Sequence, residues 1–147
     1  MNINSGVYAV ILNENKEVLM IHRTDHDLWE IPGGKWEEDE TPWQAAIREV
    51  EEETGLQVEV EKIVSLGSRP ERQDLVFTFL CKIIGGEIKH TREADDIQYF
   101  SLENIPPNTA PSKLERIKDV LAMQEQCFLR DISQSVKTED FVEENKL

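Results

Sequence analysis

The stretch that decides how this 147-residue chain folds is GKWEEDETPWQAAIREVEEETGL, residues 34 to 56. Thr41 offers a side-chain oxygen for the N-cap of a helix and opens a capping box, and Pro42 suits the first helical position. Gly55 stands where a left-handed C-terminal cap is needed. The stretch therefore predicts a helix over residues 42–54. Its apolar stripe would consist of Trp43, Ala46, Ile47 and Val50.

Three acidic residues share one face of this predicted helix, because Glu49, Glu52 and Glu53 stand at positions i, i+3 and i+4. Each such like-charge pair costs an isolated helix roughly 0.2 to 0.5 kcal/mol, and Arg48 relieves only part of the repulsion. Mg²⁺ binds to one or two carboxylates and keeps waters and substrate phosphates as its other ligands. The cluster therefore indicates a divalent metal and phosphoryl chemistry.

The stretch resembles the box of the Nudix family at every defined position. The matching residues are Gly34, Glu40, Arg48, Glu49, Val50, Glu52, Glu53, Gly55 and Leu56. The resemblance implies an α/β fold, the Nudix-type α/β/α sandwich, with a mixed β-sheet between helices. It also implies a metal-dependent hydrolase that cleaves the diphosphate of a nucleoside diphosphate linked to another group.

The resemblance assigns roles residue by residue. It makes Arg48, Glu49 and Glu53 the catalytic residues: Arg48 orients the glutamates, and Glu49 is a metal ligand or the base that deprotonates the attacking water. Glu40 supports the site. The metal ligands would be Glu49, Glu52, Glu53 and the carbonyl of Gly34, around Mg²⁺ or, as an alternative, Mn²⁺.

Further site residues are expected outside the box. Glu93 is the first candidate for the additional metal-binding Glu that many family members bring, with Glu71, Asp74, Asp95 and Asp96 as competitors. Family members often carry an Arg at the end of the second strand that contacts substrate phosphate, and here that residue is Arg23. The polar loop 67–74 adds two further candidates for substrate binding, Arg69 and Arg72. Four aromatic residues are candidates for stacking on a base or for core packing: Trp29, Trp36, Tyr99 and Phe100.

The remaining chain predicts five strands, at residues 7–12, 18–23, 57–66, 75–84 and 97–101. Gly85-Gly86 suggests a hairpin turn after which residues 87–90 pair back. Ser112 and Glu115 suggest a capping box for a second helix, with a stripe that includes Leu114, Ile117, Leu121 and Phe128. We expect a Nudix domain over residues 1–130 and, over residues 131–147, an acidic tail or a short appended helix.

The composition and charge of the chain argue against a protein that binds extended nucleic acid. The net charge is −14, and residues 34–56 hold eight acidic side chains against two basic ones. Such a chain lacks the basic stripe of a protein that binds extended nucleic acid. No signal peptide or membrane span is expected, and Cys81 and Cys127 fit a reducing compartment, so we expect a cytoplasmic location. For the oligomeric state we expect a monomer or a homodimer.

The substrate is less well specified by the sequence. We rank a nucleoside triphosphate first, ADP-ribose or another nucleotide sugar second, and dinucleotide polyphosphates or capped RNA ends third. Pro70, about fifteen residues beyond Gly55, is similar in position to a proline of ADP-ribose hydrolases. The alternative from another class is a module that senses a nucleotide without hydrolysing it, although every acidic residue of the box is intact.

Overall fold

The computed structural model describes residues 1–147. The chain forms eight strands and three helices, which are β1 (Asn4–Ile11), β2 (Val18–Arg23), β3 (Trp29–Glu30), β4 (Gly33–Gly34), α1 (Pro42–Thr54), β5 (Leu56–Arg69), β6 (Asp74–Gly86), β7 (Ala94–Phe100), α2 (Pro111–Leu121), β8 (Phe128–Asp131) and α3 (Thr138–Asn145).

The strands form two sheets. The larger sheet has the order β4-β1-β6-β5-β8 and is mixed, because β1 runs parallel to β6 and β5 runs parallel to β8, while the other pairs are antiparallel. The smaller sheet has the order β3-β2-β7 and is antiparallel. The connections place the start of the box, β4, at the edge of the larger sheet.

Two hydrophobic clusters cover opposite faces of the strands. Alternation along β1 sends Val7, Ala9 and Ile11 into a cluster that also contains Ala46 of α1. Val10 faces the other way, into a cluster with Val64, Ile117 and Val120 that α2 covers. Helices thus pack on both faces of the strands, and the predicted α/β/α sandwich with a mixed sheet is confirmed.

Helix α1 matches the predicted bounds of residues 42–54. The Thr41 hydroxyl accepts from the backbone N–H of Gln44 at 3.1 Å, the Gln44 side chain accepts from the Thr41 N–H at 2.8 Å, and Gly55 adopts φ +80°. The predicted stripe is wrong at Trp43, whose ring is 52% exposed. The buried residues of α1 are Ala45, Ala46, Val50, Glu53 and Thr54, so the side that faces the core is rotated away from Trp43 and includes Ala45.

Three predictions about the later elements are wrong. Residues 87–90 form no strand, because Gly86 pairs with Leu56 in β5 and the chain then passes the end of α1, where the Lys89 N–H donates to the Thr54 carbonyl at 2.8 Å. Helix α2 begins at Pro111 after Ala110 and has no side-chain cap. Phe128 belongs to strand β8 and not to that helix.

The last residues add regular structure to the larger sheet. Strand β8 pairs in parallel with residues 65–68 of β5, and α3 follows after a short loop. The predicted boundary between a domain over residues 1–130 and a tail over residues 131–147 stays a prediction. No helix in the structure has both the length and the apolar character needed to span a membrane.

Candidate active site

Three carboxylates meet where α1 approaches the loop before β7. Glu49 and Glu53 lie one helical turn apart on α1, and Glu93 reaches them from the loop, so that one oxygen of each lies within 4.8 Å of the others. The loop is fastened to the helix through Thr91, whose hydroxyl donates to the Glu53 carbonyl at 3.2 Å and accepts from the Glu93 N–H at 3.3 Å. We call Glu49, Glu53 and Glu93 the carboxylate cluster.

Burial makes the carboxylate cluster electrostatically costly. Glu53 is only 4% exposed. Burial raises the pKa of Glu53 well above its ordinary value, and the adjacent Glu49 raises it further through a hydrogen bond and its charge. Burial also raises the pKa of Glu49. Acidic side chains held this close in a partly desolvated site are typical of an arrangement that accepts a proton or a cation.

Arg48 joins the carboxylate cluster to the start of the box. Its guanidinium binds both carboxylate oxygens of Glu40, at 2.8 and 3.0 Å, and donates to Glu49 at 3.1 Å. It also donates to the Lys35 carbonyl at 3.0 Å. The pKa of Glu40 is lowered chiefly by its hydrogen bond to Arg48. Arg48 therefore holds Glu49 and the loop before α1 in a fixed relation.

The two glycines of β4 let the backbone approach the carboxylate cluster closely. A Cβ at Gly34 would lie 2.3 Å from Oε1 of Glu49, and a Cβ at Gly33 would lie 2.4 Å from both the Val7 carbonyl oxygen and Cδ1 of Tyr8. The Gly33 N–H donates to Oε1 of Glu53 at 3.3 Å. A Cβ at Gly33 would meet the backbone, and a Cβ at Gly34 would displace the Glu49 carboxylate, which accounts for the paired glycines.

The model of the NUDIX domain family matches residues 3–120, a range that contains the box, the carboxylate cluster and most of both sheets. The chain belongs to the Nudix family. As a Nudix hydrolase it is an enzyme that acts on phosphoanhydride bonds, and Nudix hydrolases generally use divalent metal.

Relatives of this Nudix hydrolase carry several names. A Bacillus subtilis (strain 168) protein named as a candidate 8-oxo-dGTP diphosphatase is 30% identical over 115 residues, which is 78% of this chain and 77% of that protein. A MutT-like protein from Streptomyces ambofaciens is 33% identical over 116 residues, 79% of this chain and 75% of the relative. A crystal structure of an ADP-ribose pyrophosphatase from Streptococcus suis has a TM-score of 0.71 at 25% identity, covering 88% of this chain and 99% of that one.

The structure brings together some of the predicted site residues of this Nudix hydrolase but not all. Glu52, about 100° from Glu53 around the helix, is 52% exposed, receives a 3.3 Å contact from Arg48 and lies outside the carboxylate cluster. Arg23 does face the cleft of about 380 Å³ that Glu53 and Glu93 line. It is bound there by Asp25, at 2.7 Å, and by Glu30, at 3.4 Å.

Arg69 and Arg72 lie in a different place, in the wall of a second cavity on the α2 face of the larger sheet. Arg69 is buried, and its guanidinium donates to the carbonyls of Ile132 and Ser135 at 3.1 Å. Its main contacts are therefore with the chain itself. Arg72 stays at the rim of this cavity, 3.8 Å from Asp74.

The competitors of Glu93 all have other partners. Asp74 faces Arg69 and Arg72, and Glu71 accepts from the Ser133 hydroxyl at 2.9 Å. Two further acids are also engaged: Asp95 lies 2.7 Å from His22, and Asp96 accepts from Gln98 at 2.7 Å. None of these four belongs to the carboxylate cluster.

The aromatic candidates are mostly packing residues. Trp29 and Phe100 contact each other edge to face at 5.0 Å within the α2-side core, and Tyr99 packs against the α1-side core. Trp36 is 38% exposed and lies edge-on to Phe77 at 6.0 Å, which makes it the most exposed of the four.

Sequence reasoning missed Glu30, Tyr8 and two cations of α2. Glu30 lies between the two cavities, 3.4 Å from Arg23 and 3.4 Å from Lys113. Lys113 and Arg116 approach the Tyr8 ring, at 4.5 and 4.4 Å from its centroid. The available signal was their spacing of three residues, which puts both cations on one face of the helix.

Proposed function

We propose that this Nudix hydrolase cleaves a nucleoside triphosphate at a phosphoanhydride bond, with a divalent metal held by the carboxylate cluster and a water as nucleophile. One observation carries the proposal: oxygens of Glu49, Glu53 and Glu93 lie within 4.8 Å of one another beside the paired glycines of β4. A stable fold alone gives no reason to collect three acids there.

The donor set fits a hard cation such as Mg²⁺ or Mn²⁺. All three side-chain donors are carboxylate oxygens, and the close approach of Gly34 to Glu49 adds a backbone carbonyl to the candidate ligands. Glu52 would join them only by turning away from Arg48. When bound, the metal would neutralise phosphate charge, orient the diphosphate and lower the pKa of a water.

The protein's own groups would prepare the reaction. Glu49, fixed by the 3.1 Å hydrogen bond from Arg48, is our candidate to accept the proton of the attacking water. Arg23 would bind a phosphate oxygen by exchanging its contact with Asp25, which is exposed at the mouth of the cleft. Glu40 would hold Arg48 in place through its two hydrogen bonds. The contacts of Arg48 with Glu49 and Glu40 would thus position Glu49, the proposed base, before substrate binds.

The substrate ranking draws on the relatives. The Bacillus subtilis protein's name refers to 8-oxo-dGTP, which favours a nucleoside triphosphate. The second candidate is ADP-ribose or another nucleotide sugar, favoured by the fold similarity to the Streptococcus suis ADP-ribose pyrophosphatase. Cytoplasmic location and a monomeric or homodimeric state stay predictions.

A substrate panel tests the proposal. Release of phosphate, pyrophosphate or nucleoside monophosphate would be measured with nucleoside triphosphates, 8-oxo-dGTP, ADP-ribose, UDP-glucose and diadenosine tetraphosphate, in Mg²⁺, Mn²⁺ or chelator. We expect turnover that chelator abolishes and that Glu53→Gln lowers by at least about 100-fold, since that substitution removes a carboxylate that we propose binds the metal. Glu51→Gln, an exposed neighbour on the same helix, is the matched control.

Two results would count against the proposal. Turnover by Glu53→Gln at the wild-type rate would exclude the mechanism. Tight nucleotide binding without hydrolysis in either metal would favour the sensing module instead.

A further inference from the structure

A second cavity lies on the α2 face of the larger sheet. It has a volume of about 280 Å³ and is bounded by β1, β5, β6, α2, β8 and residues 132–139. Small-molecule sites usually measure about 300 to 1,000 Å³. The cavity is therefore suited to one group of a substrate and not to a whole nucleotide. We call it the cationic cavity, after the buried side chains Arg69 and Lys113 and the half-buried Arg116.

The charge of the cationic cavity is opposite to that of the protein. The chain carries −14 overall, yet the cavity is lined by six cations and four acids. The cations are Arg69, Arg72, Lys113, Arg116, Arg130 and Lys137. Acidic proteins do not collect cations in one cavity by composition alone, so the local excess needs a separate explanation.

Most of these cations have partners within the protein. Asp119 pairs with Arg130. The Lys113 ammonium group contacts the Tyr8 hydroxyl and the Thr138 hydroxyl, each at 3.3 Å, and lies 3.4 Å from Glu30. Arg69 binds two backbone carbonyls of the segment that follows β8. These side chains build the wall of the cavity.

Two of the six cations, Lys137 and Arg116, form no ion pair within 4.0 Å, and Arg116 is the one with a shielded donor. Its Nη1 is shielded from solvent and has no hydrogen-bond partner. The guanidinium carbon lies 4.4 Å from the centroid of the Tyr8 ring. Burial lowers the pKa of Arg116, and the negative charges of Glu30 and Glu115 offset this only in part. A partly buried cation without an ion pair is unfavourable in a folded protein.

The cationic cavity adjoins the cleft of the carboxylate cluster. The carboxylate of Glu30 lies between them, 3.4 Å from Lys113 on one side and 3.4 Å from Arg23 on the other. Tyr8 forms part of the cavity wall and also packs directly against Gly33, whose N–H contacts Glu53. Glu30 and Tyr8 therefore place the cationic cavity next to the proposed position of the diphosphate.

We propose that the cationic cavity binds a second anionic group of the substrate, a phosphate or a carboxylate remote from the scissile diphosphate, and that Arg116 is its direct partner. This inference rests on the proposed function for the position of the diphosphate and favours its second candidate class, because an unmodified nucleoside triphosphate carries no anion remote from its phosphates. The anion site itself does not depend on hydrolysis. An anion would supply the missing partner of Arg116. A neutral base or sugar would leave that guanidinium unpaired.

Matched substrates test the proposal on the wild-type enzyme. UDP-glucuronate differs from UDP-glucose by one carboxylate, and ADP-ribose with a phosphate on its terminal ribose differs from ADP-ribose by one phosphate. We expect the anionic member of at least one pair to have a KM lower by about 10- to 100-fold, the size of one charge-assisted hydrogen bond. The pair whose anionic member has the lower KM shows whether the cavity binds a carboxylate or a phosphate.

Variants on α2 then locate the site. Arg116→Gln should remove the KM advantage of the anionic substrate over its neutral partner, while Arg116→Lys should keep part of the advantage. Lys118→Gln removes the same charge from an exposed position of the same helix and is the control. Thermal unfolding of each variant checks that the fold is intact.

A binding measurement separates this proposal from the proposed function. Inorganic phosphate would be titrated into the wild-type protein and the variants in chelator, with binding followed by NMR. Phosphate binding that Arg116→Gln loses and Lys118→Gln keeps supports the anion site even if no substrate is hydrolysed. Equal KM values within both wild-type pairs, with no phosphate binding affected by Arg116→Gln, would overturn it whether or not the enzyme hydrolyses nucleotides.

Discussion

Replacing Gly34 with alanine should disable the enzyme without unfolding it. The added Cβ would lie 2.3 Å from Oε1 of Glu49, and ordinary contacts begin at 3.4 Å. Gly34 does not have a positive φ, so alanine is compatible with its backbone. The Glu49 carboxylate must therefore move by about 1 Å away from β4, against the hydrogen bond that Arg48 makes to it.

A displacement of this size at a reacting group costs about 100-fold in rate, equivalent to about 2.7 kcal/mol in the activation barrier. We expect kcat of Gly34→Ala to fall by that factor at saturating nucleotide and metal. The backbone carbonyl that we propose as a ligand is retained in the variant. A fall in kcat would therefore result from the displacement of Glu49 and not from loss of that carbonyl.

Steady-state kinetics with the preferred substrate of the panel would measure the effect, with thermal unfolding recorded in parallel. Gly85→Ala is the matched control, since its Cβ would meet only the flexible end of Gln57, at 2.9 Å. If Gly34→Ala kept wild-type kcat with an intact fold, the position of Glu49 against β4 would not matter for catalysis, and our account of the paired glycines would be wrong.

Two further predictions concern stability. Burial lowers the pKa of His22, but hydrogen bonds to Asp27 and Asp95 outweigh it and raise the pKa above 6.5. The stabilisation of the fold by protonated His22 is therefore complete below pH 6.5 and is lost as the pH rises through the folded-state pKa. Urea denaturation should show the largest difference between wild type and His22→Gln at acidic pH, and a constant difference would contradict this. Thr41→Ala should lower the free energy of unfolding by about 1 kcal/mol, through loss of the N-cap of α1. Ser112→Ala, at a position without a cap hydrogen bond, should cost less; equal losses would contradict the assignment.

Helix α1 was predictable because its determinants are local. Thr41 and Gly55 specify its two ends through hydrogen bonds to residues within one turn, and 3.6 residues per turn place Glu49 beside Glu53. The same helical geometry places Glu52 about 100° away from Glu53 around the helix, outside the carboxylate cluster. The box motif alone does not show this difference between the glutamates.

The prediction about Gly85-Gly86 failed for a non-local reason. Two glycines between apolar residues are compatible with a hairpin turn, but β6 already has β5 as its antiparallel partner along nearly its full length. Gly86 instead has φ +77°, and a Cβ there would lie 2.4 Å from the Gly55 carbonyl oxygen. The glycine is required by the approach of two strand ends, which no short window of sequence reveals.

The two cations of α2 were not predicted, because an apolar stripe gives no information about charged residues that share its face of the helix. Lys113, Arg116, Ile117 and Val120 stand at i, i+3, i+4 and i+7, and this face is turned toward the sheet. Half of its positions carry positive charge, whereas a helix that only covers a core would place apolar side chains at all four. The periodicity that identified the carboxylate cluster on α1 therefore also applies on α2. On α1 this periodicity brings together acids that we propose bind a divalent metal. On α2 it brings together cations, of which Arg116 has no ion pair within the protein.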